Sequence, residues 1–94
     1  MMISERAGKF LVDLSKDTIK YFLETGKTIV KPDDYPIELD EPLGVFVTLN
    51  KNNSLRGCIG YAEPIKPAID AAIEVALSAA FNDPRFPQVS ADEF

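Results

Sequence analysis

At 94 residues with a net charge of −5, 46% hydrophobic and 27% charged residues, the chain has the composition of one small globular domain rather than of a disordered segment. The acidic balance works against binding the phosphate backbone, where affinity comes from clustered Lys and Arg, so nucleic acid is not the expected partner. One cysteine and no histidine exclude an internal disulfide, a Cys-His dyad and a Ser-His-Asp triad, and a zinc site cannot be built from this chain alone.

The N-terminal run Met1-Met2-Ile3-Ser4-Glu5-Arg6 leads directly into an amphipathic pattern and lacks the apolar core of a signal peptide. No apolar run approaches the roughly 20 residues that span a bilayer, and the chain is expected to be soluble and cytoplasmic. Ala7, Phe10, Leu11, Leu14, Tyr21 and Phe22 recur at helical spacing, which predicts a helix over about 4–24 covering one face of a sheet. Ser4 suits its N-cap and Gly26 its C′ position, while Ser15, Asp17 and Thr18 interrupt the stripe and allow a bend or break. From Thr25 to Pro42, three prolines exclude a helix or a central strand, so a long acidic loop is expected. Asp33, Asp34, Glu38, Asp40 and Glu41 lie in it, but without the ligand order and turn glycine of a calcium loop.

Two β-branched and aromatic runs, about 43–50 and 55–61, flank Lys51-Asn52-Asn53-Ser54 and predict an antiparallel hairpin. With Asn52-Asn53 as a two-residue turn and uninterrupted pairing, Val47 faces Cys58, Val45 faces Gly60, and Arg56 and Cys58 share the face of Val45, Val47 and Leu49. A slip of one residue reverses the faces. Further on, Pro64 and Pro67 open an alanine-rich helix predicted over about 65–82. Its polar stripe is Lys66, Asp70, Glu74 and Ser78, and its opposite side is Ile65, Ile69, Ala72, Ile73, Ala76, Leu77 and Ala80. Pro84 stops it near Asp83. The tail is extended through Pro87, and Ser90 to Phe94 reads as the start of another capped helix.

Leu55-Arg56-Gly57-Cys58-Ile59-Gly60, following a Gly-Val-Phe-Val-Thr-Leu strand, resembles the signature of the AMMECR family. Asn82-Asp83-Pro84-Arg85-Phe86 after the alanine-rich helix matches a second part of that pattern, in the right order and at the right spacing. The resemblance implies an α+β domain whose remaining half contributes further strands, with 1–94 as a single unit forming its N-terminal part. It implies no established reaction. It also implies a protein partner, because members of the family occur joined to or encoded beside Memo-like and radical SAM proteins. A hairpin of two strands needs further strands or a partner, which predicts exposed apolar surface and self-association.

Two functional readings follow. As an enzyme, the chain uses Cys58 as nucleophile or redox thiol, Arg56 on the same face to favour the thiolate, and Gly57 and Gly60 to leave room for a substrate. Asp83 and Arg85 then supply a carboxylate base and an anion clamp if the tail folds over the hairpin. As a binding or adaptor module, the glycine-rich strand is a docking surface and Cys58 is inert. In that case Gly57 and Gly60 admit a packed aromatic such as Phe46 or Tyr61, or a bulge, and Arg56 pairs with a loop carboxylate. No metal is implied, and the cofactor, if any, is unknown from the sequence.

Overall fold

The computed structural model describes residues 4–94; the Met1 to Ile3 part of the N-terminal reading lies outside them. The order of elements is α1 (Glu5–Thr25), a 3-10 turn (Ile37–Asp40), β1 (Val45–Lys51), β2 (Ser54–Tyr61), α2 (Ala68–Phe81) and a second 3-10 turn (Ala91–Glu93). The arrangement is α+β, as expected, with one antiparallel hairpin among the described residues. None of the described helices is long and apolar enough to cross a membrane.

α1 starts and stops where its caps dictate. The Ser4 hydroxyl accepts the Ala7 N–H, and Gly26 takes a left-handed φ of 73° while its N–H bonds to the Phe22 carbonyl. That conformation suits glycine, which has no Cβ to clash. The helix is continuous rather than broken, because the Ser15 and Thr18 hydroxyls donate back to the carbonyls of Leu11 and Leu14 at 2.8 and 2.7 Å. Each polar group is thereby satisfied on a buried face. Glu38 in the acidic loop also accepts both the N–H and the hydroxyl of Ser4, so this carboxylate secures the start of α1.

α2 is the element on which the others lean. It packs against α1 and against both strands, whereas α1 and β1 are scarcely in contact. Its alanines at 71, 72, 76, 79 and 80 are all buried, and their small side chains let helix and hairpin backbones approach. The helix begins at Ala68, not near Ile65, because Pro67 biases Lys66 away from helical geometry. Pro67 is itself an extended N-cap with ψ 142°, and Ile65 is 62% exposed instead of joining the apolar side.

The hairpin turn forms at Asn52-Asn53, with φ of 52° and 65°, the left-handed pair of a type I′ turn. Pairing is uninterrupted only as far as Asn50 opposite Leu55. A bulge then shifts the register, so that Leu49 lies opposite Gly57, Thr48 opposite Cys58, Val47 opposite Ile59 and Val45 opposite Tyr61. This corrects the expectation that Val47 faces Cys58 and Val45 faces Gly60. The extra residue at Leu55-Arg56 reverses the faces beyond it. Val47, Leu49, Ile59 and Tyr61 point to the core with Val75, Ala76 and Ala79.

Gly57 is required by that packing. A Cβ built there would stand 2.3 Å from the Ala79 carbonyl oxygen, a backbone atom that cannot swing away. Gly57→Ala is expected to destabilise the fold by about 1–3 kcal/mol, as overpacking of a filled core does. The midpoint of chemical denaturation should fall accordingly, and an unchanged midpoint would show that α2 is not seated on this strand.

Candidate functional site

The end of α2 brings two of the expected site residues to Cys58. Asp83, only 5% exposed, accepts the Cys58 N–H at 3.0 Å. The other hydrogen bonds to its carboxylate come from Arg85: the backbone N–H at 3.0 Å, Nε at 3.0 Å and Nη2 at 2.8 Å. Nη2 also donates to the Cys58 carbonyl at 3.3 Å, and the guanidinium lies 5.3 Å from the centre of the Phe86 ring. The tail therefore does fold back over the hairpin. The two side chains act on the backbone of Cys58, the carboxylate accepting and the guanidinium donating as a neighbouring strand would.

This direction of bonding has a geometric consequence for the whole hairpin. Because the N–H and C=O of Cys58 both turn outward to Asp83 and Arg85, Thr48 and Cys58 form a non-hydrogen-bonded pair, the kind in which side chains come closest. The Cys58 Sγ accordingly lies 3.3 Å from the Thr48 Oγ1, on the face away from α2. The thiol is half-buried.

Arg56 is occupied elsewhere. Nε and Nη2 bind the two oxygens of Glu93, each at 2.9 Å, and Nη1 and Nη2 donate to the carbonyls of Pro87 and Gln88 at 2.8 and 3.2 Å. Such a two-pronged contact is the strong form of an Arg–carboxylate pair. Lys51 reaches the same carboxylate at 2.9 Å. The bulge interrupts the alternation that would have set Arg56 beside Cys58, so the guanidinium fastens the C-terminal segment to the hairpin.

The space released by the two glycines is also filled. α2 occupies the position of a Gly57 side chain, and the Phe46 ring occupies that of Gly60, where a Cβ would stand 2.4 Å from a ring carbon. Glu93 and Thr48 are the neighbours that sequence reasoning did not supply. The Ser90 to Phe94 segment, expected to start a capped helix, forms a 3-10 turn with a capping box, and its Glu93 carboxylate also serves Arg56.

Electrostatics follow from these contacts. The Arg85 side chain, then the Cys58 N–H, hold the Asp83 carboxyl far below the usual carboxylate range. Arg56, Lys51 and the Ser90 backbone do the same for Glu93. A general base works best with a pKa near the operating pH, and Asp83 as held here is a poor one. Among the described residues no group of three or more acidic or thiol side chains converges as metal ligands would.

Beside β1 runs an apolar groove of about 490 Å³, walled by Leu11 and Val12 of α1 and floored by Ala72 and Val89. It exists because α1 and the hairpin both rest on α2 without closing on each other.

Comparison with known proteins places these features in a family. The family model described as AMMECR1 matches residues 12–94. The chain belongs to the AMMECR1 family. A protein of Methanothermobacter thermautotrophicus is 50% identical over 91 residues, covering 97% of this chain and 47% of the relative. Protein MK0488 of Methanopyrus kandleri is 53% identical over 83 residues, covering 85% and 39%. The crystal structure of the uncharacterized protein PH0010 from Pyrococcus horikoshii superimposes with a TM-score of 0.93 at 48% identity, over 97% of this chain and 47% of that one. The chain thus spans about half the length of the curated relatives it matches.

The two lowered carboxyl pKa values set a pH dependence. A group whose pKa is lower folded than unfolded stabilises the fold above its unfolded pKa, and that contribution is lost as pH falls toward the folded value. Thermal stability should therefore be flat near neutrality and fall below about pH 4, the ordinary carboxylate range. Asp83→Asn should lower the melting temperature at pH 7 and reduce the acid-induced loss. A variant whose melting curve follows that of the parent at both pH 7 and pH 3 would show that the Asp83 contacts contribute nothing.

Proposed function

We infer that this chain is a non-catalytic binding module for a protein partner, and that the Arg56 to Gly60 strand is the framework of that module rather than a reaction centre. One observation carries this reading: the charged side chains expected to activate Cys58 are engaged in holding backbone. Arg56 binds Glu93 and two carbonyls, Asp83 binds Cys58 and Arg85, and the glycine space is filled from within the fold. The half-length match to the relatives supports a role completed by further polypeptide. The family resemblance suggests a Memo-like or radical SAM protein as the kind of partner.

A second reading, thiol chemistry, is favoured by a specific observation. Cys58 is only half-buried, and Arg85, whose side chain is 54% exposed, lies against its carbonyl. In that reading Cys58 is the nucleophile and Arg85 binds an anionic substrate, with Gly57 and Gly60 shaping the strand.

Alkylation of the folded protein by iodoacetate, whose carboxylate is the anion that Arg85 would bind, separates the two. The binding-module reading predicts a Cys58 labelling rate that rises linearly with reagent and is unchanged by Arg85→Lys. Saturable labelling that is lost in Arg85→Lys, in a variant that keeps its helical circular dichroism, would overturn it in favour of a built thiol site.

A further inference from the structure

The tail beyond α2 is fastened at its two ends by different means. At its start Asp83 is buried, Arg85 pairs with it, and the Phe86 N–H returns to the Asp83 carbonyl at 3.2 Å. These bonds lie within one short stretch, and that stretch grips Cys58 of β2. From Pro87 onward the means change. Val89 is the one buried side chain of residues 87–94. It packs among Ile19, Val47, Val75 and Ala79, and its N–H reaches the Ala80 carbonyl at 2.9 Å.

Most of the remaining hold is ionic. The Glu93 carboxylate accepts from Arg56 of β2 and Lys51 of β1, and the Arg56 and Glu93 side chains are each 14% exposed. Arg56 extends the grip to the carbonyls of Pro87 and Gln88. The same carboxylate accepts the N–H and the hydroxyl of Ser90, which closes the 3-10 turn on itself. The turn therefore keeps its shape, and its carboxylate stays presented, whether or not Arg56 holds it. Pro87 stands between the two ends and has no N–H to lose when the chain bends there. A segment with its own internal bonds, one buried valine and an ionic fastening is the kind that opens below the free energy of global unfolding.

Val89 and Glu93 both line the groove beside β1. Lifting this segment removes part of the groove wall and extends the groove over the seat of Val89.

We propose that residues 87–93 are a strap, latched by Glu93 on Arg56 and Lys51, which opens as a unit while the Asp83 end stays closed, and that ionic strength sets how often it opens. Salt screens charges in contact with water and leaves buried contacts much less affected. Closed, the strap keeps Arg56 and Lys51 on Glu93 and shortens the groove. Open, it releases both cations and lengthens the groove. This behaviour is independent of whether Cys58 is framework or nucleophile.

Hydrogen exchange of single amides in the whole chain tests the strap, measured by nuclear magnetic resonance at fixed pH in about 0.05 M and about 0.5 M sodium chloride, a range over which the screening length falls severalfold. The Val89 amide should exchange faster than the ladder amides of β1 and the Ala76 amide of α2. Its rate should rise about two- to fivefold with salt, the yield of a partly exposed ion pair, while theirs stay level. Glu93→Gln keeps the side-chain oxygen that the capping box uses and removes the charge. It should speed Val89 exchange about tenfold, as loss of a charged hydrogen-bonded pair does, and abolish the salt effect. The Cys58 amide should hold its rate in both salts and in Glu93→Gln. A Val89 amide as slow as that of Ala76, a rate indifferent to salt or to Glu93→Gln, an equal rise at Ala76, or a Cys58 amide that quickens together with Val89 would each overturn the proposal.

Discussion

The buried carboxylate of Asp83 holds the second strand to the end of the second helix, and much of the structure depends on that contact. It takes the Cys58 N–H while Arg85 holds it from the other side and reaches the Cys58 carbonyl. Together the two side chains do for one residue what an adjoining strand would do for several. They keep β2 at the distance from α2 that Gly57 permits, and they turn the Thr48–Cys58 pair so that the opposite edge of the hairpin faces outward. Arg56 does a parallel task further along, fastening the segment from Pro87 to Glu93 against the bulge. An aspartate and an arginine that look like catalytic equipment in a motif can be equipment for holding a short sheet in place.

Much of the framework was legible in the sequence because its signals are local. The Ser4 cap, the Gly26 terminus, the Asn52-Asn53 turn and the cap at Ser90 each depend on residues within four positions of one another, and each formed. A bulge was one of the expected reasons for Gly57 and Gly60, but its place and the register it sets were not legible, because pairing was counted outward from the turn on the assumption of one residue opposite one. What selects the shifted register is tertiary. With it, Gly57 lies under Ala79, and Ile59 and Tyr61 face the core. Without it, Arg56 and Cys58 would enter that apolar contact, and burying an unpaired guanidinium is costly.

The site was legible in part. The resemblance and the residues pointed to Cys58, Asp83 and Arg85, and the structure does bring those three together. Arg56 pairs with a carboxylate, as the binding reading expected, but Glu93 could not be named because it lies 37 residues away, and separations of that size leave no periodic trace. The groove was anticipated only as apolar surface left by a shortage of strands. Its position beside β1 follows from α1 and the hairpin resting on α2 separately, which no local pattern announces.

Native-state hydrogen exchange at the Cys58 amide tests the central claim most directly, because that N–H bonds to a side chain and not to β1. If Asp83 stands in for a strand, the Cys58 amide in the unmodified protein exchanges as slowly as amides bonded within the β1–β2 ladder. In Asp83→Ala it then exchanges faster by local opening, while the ladder amides of β1 change less. A Cys58 amide that exchanges as fast as that of Asn52 in the exposed turn, with Asp83 intact, would contradict the account.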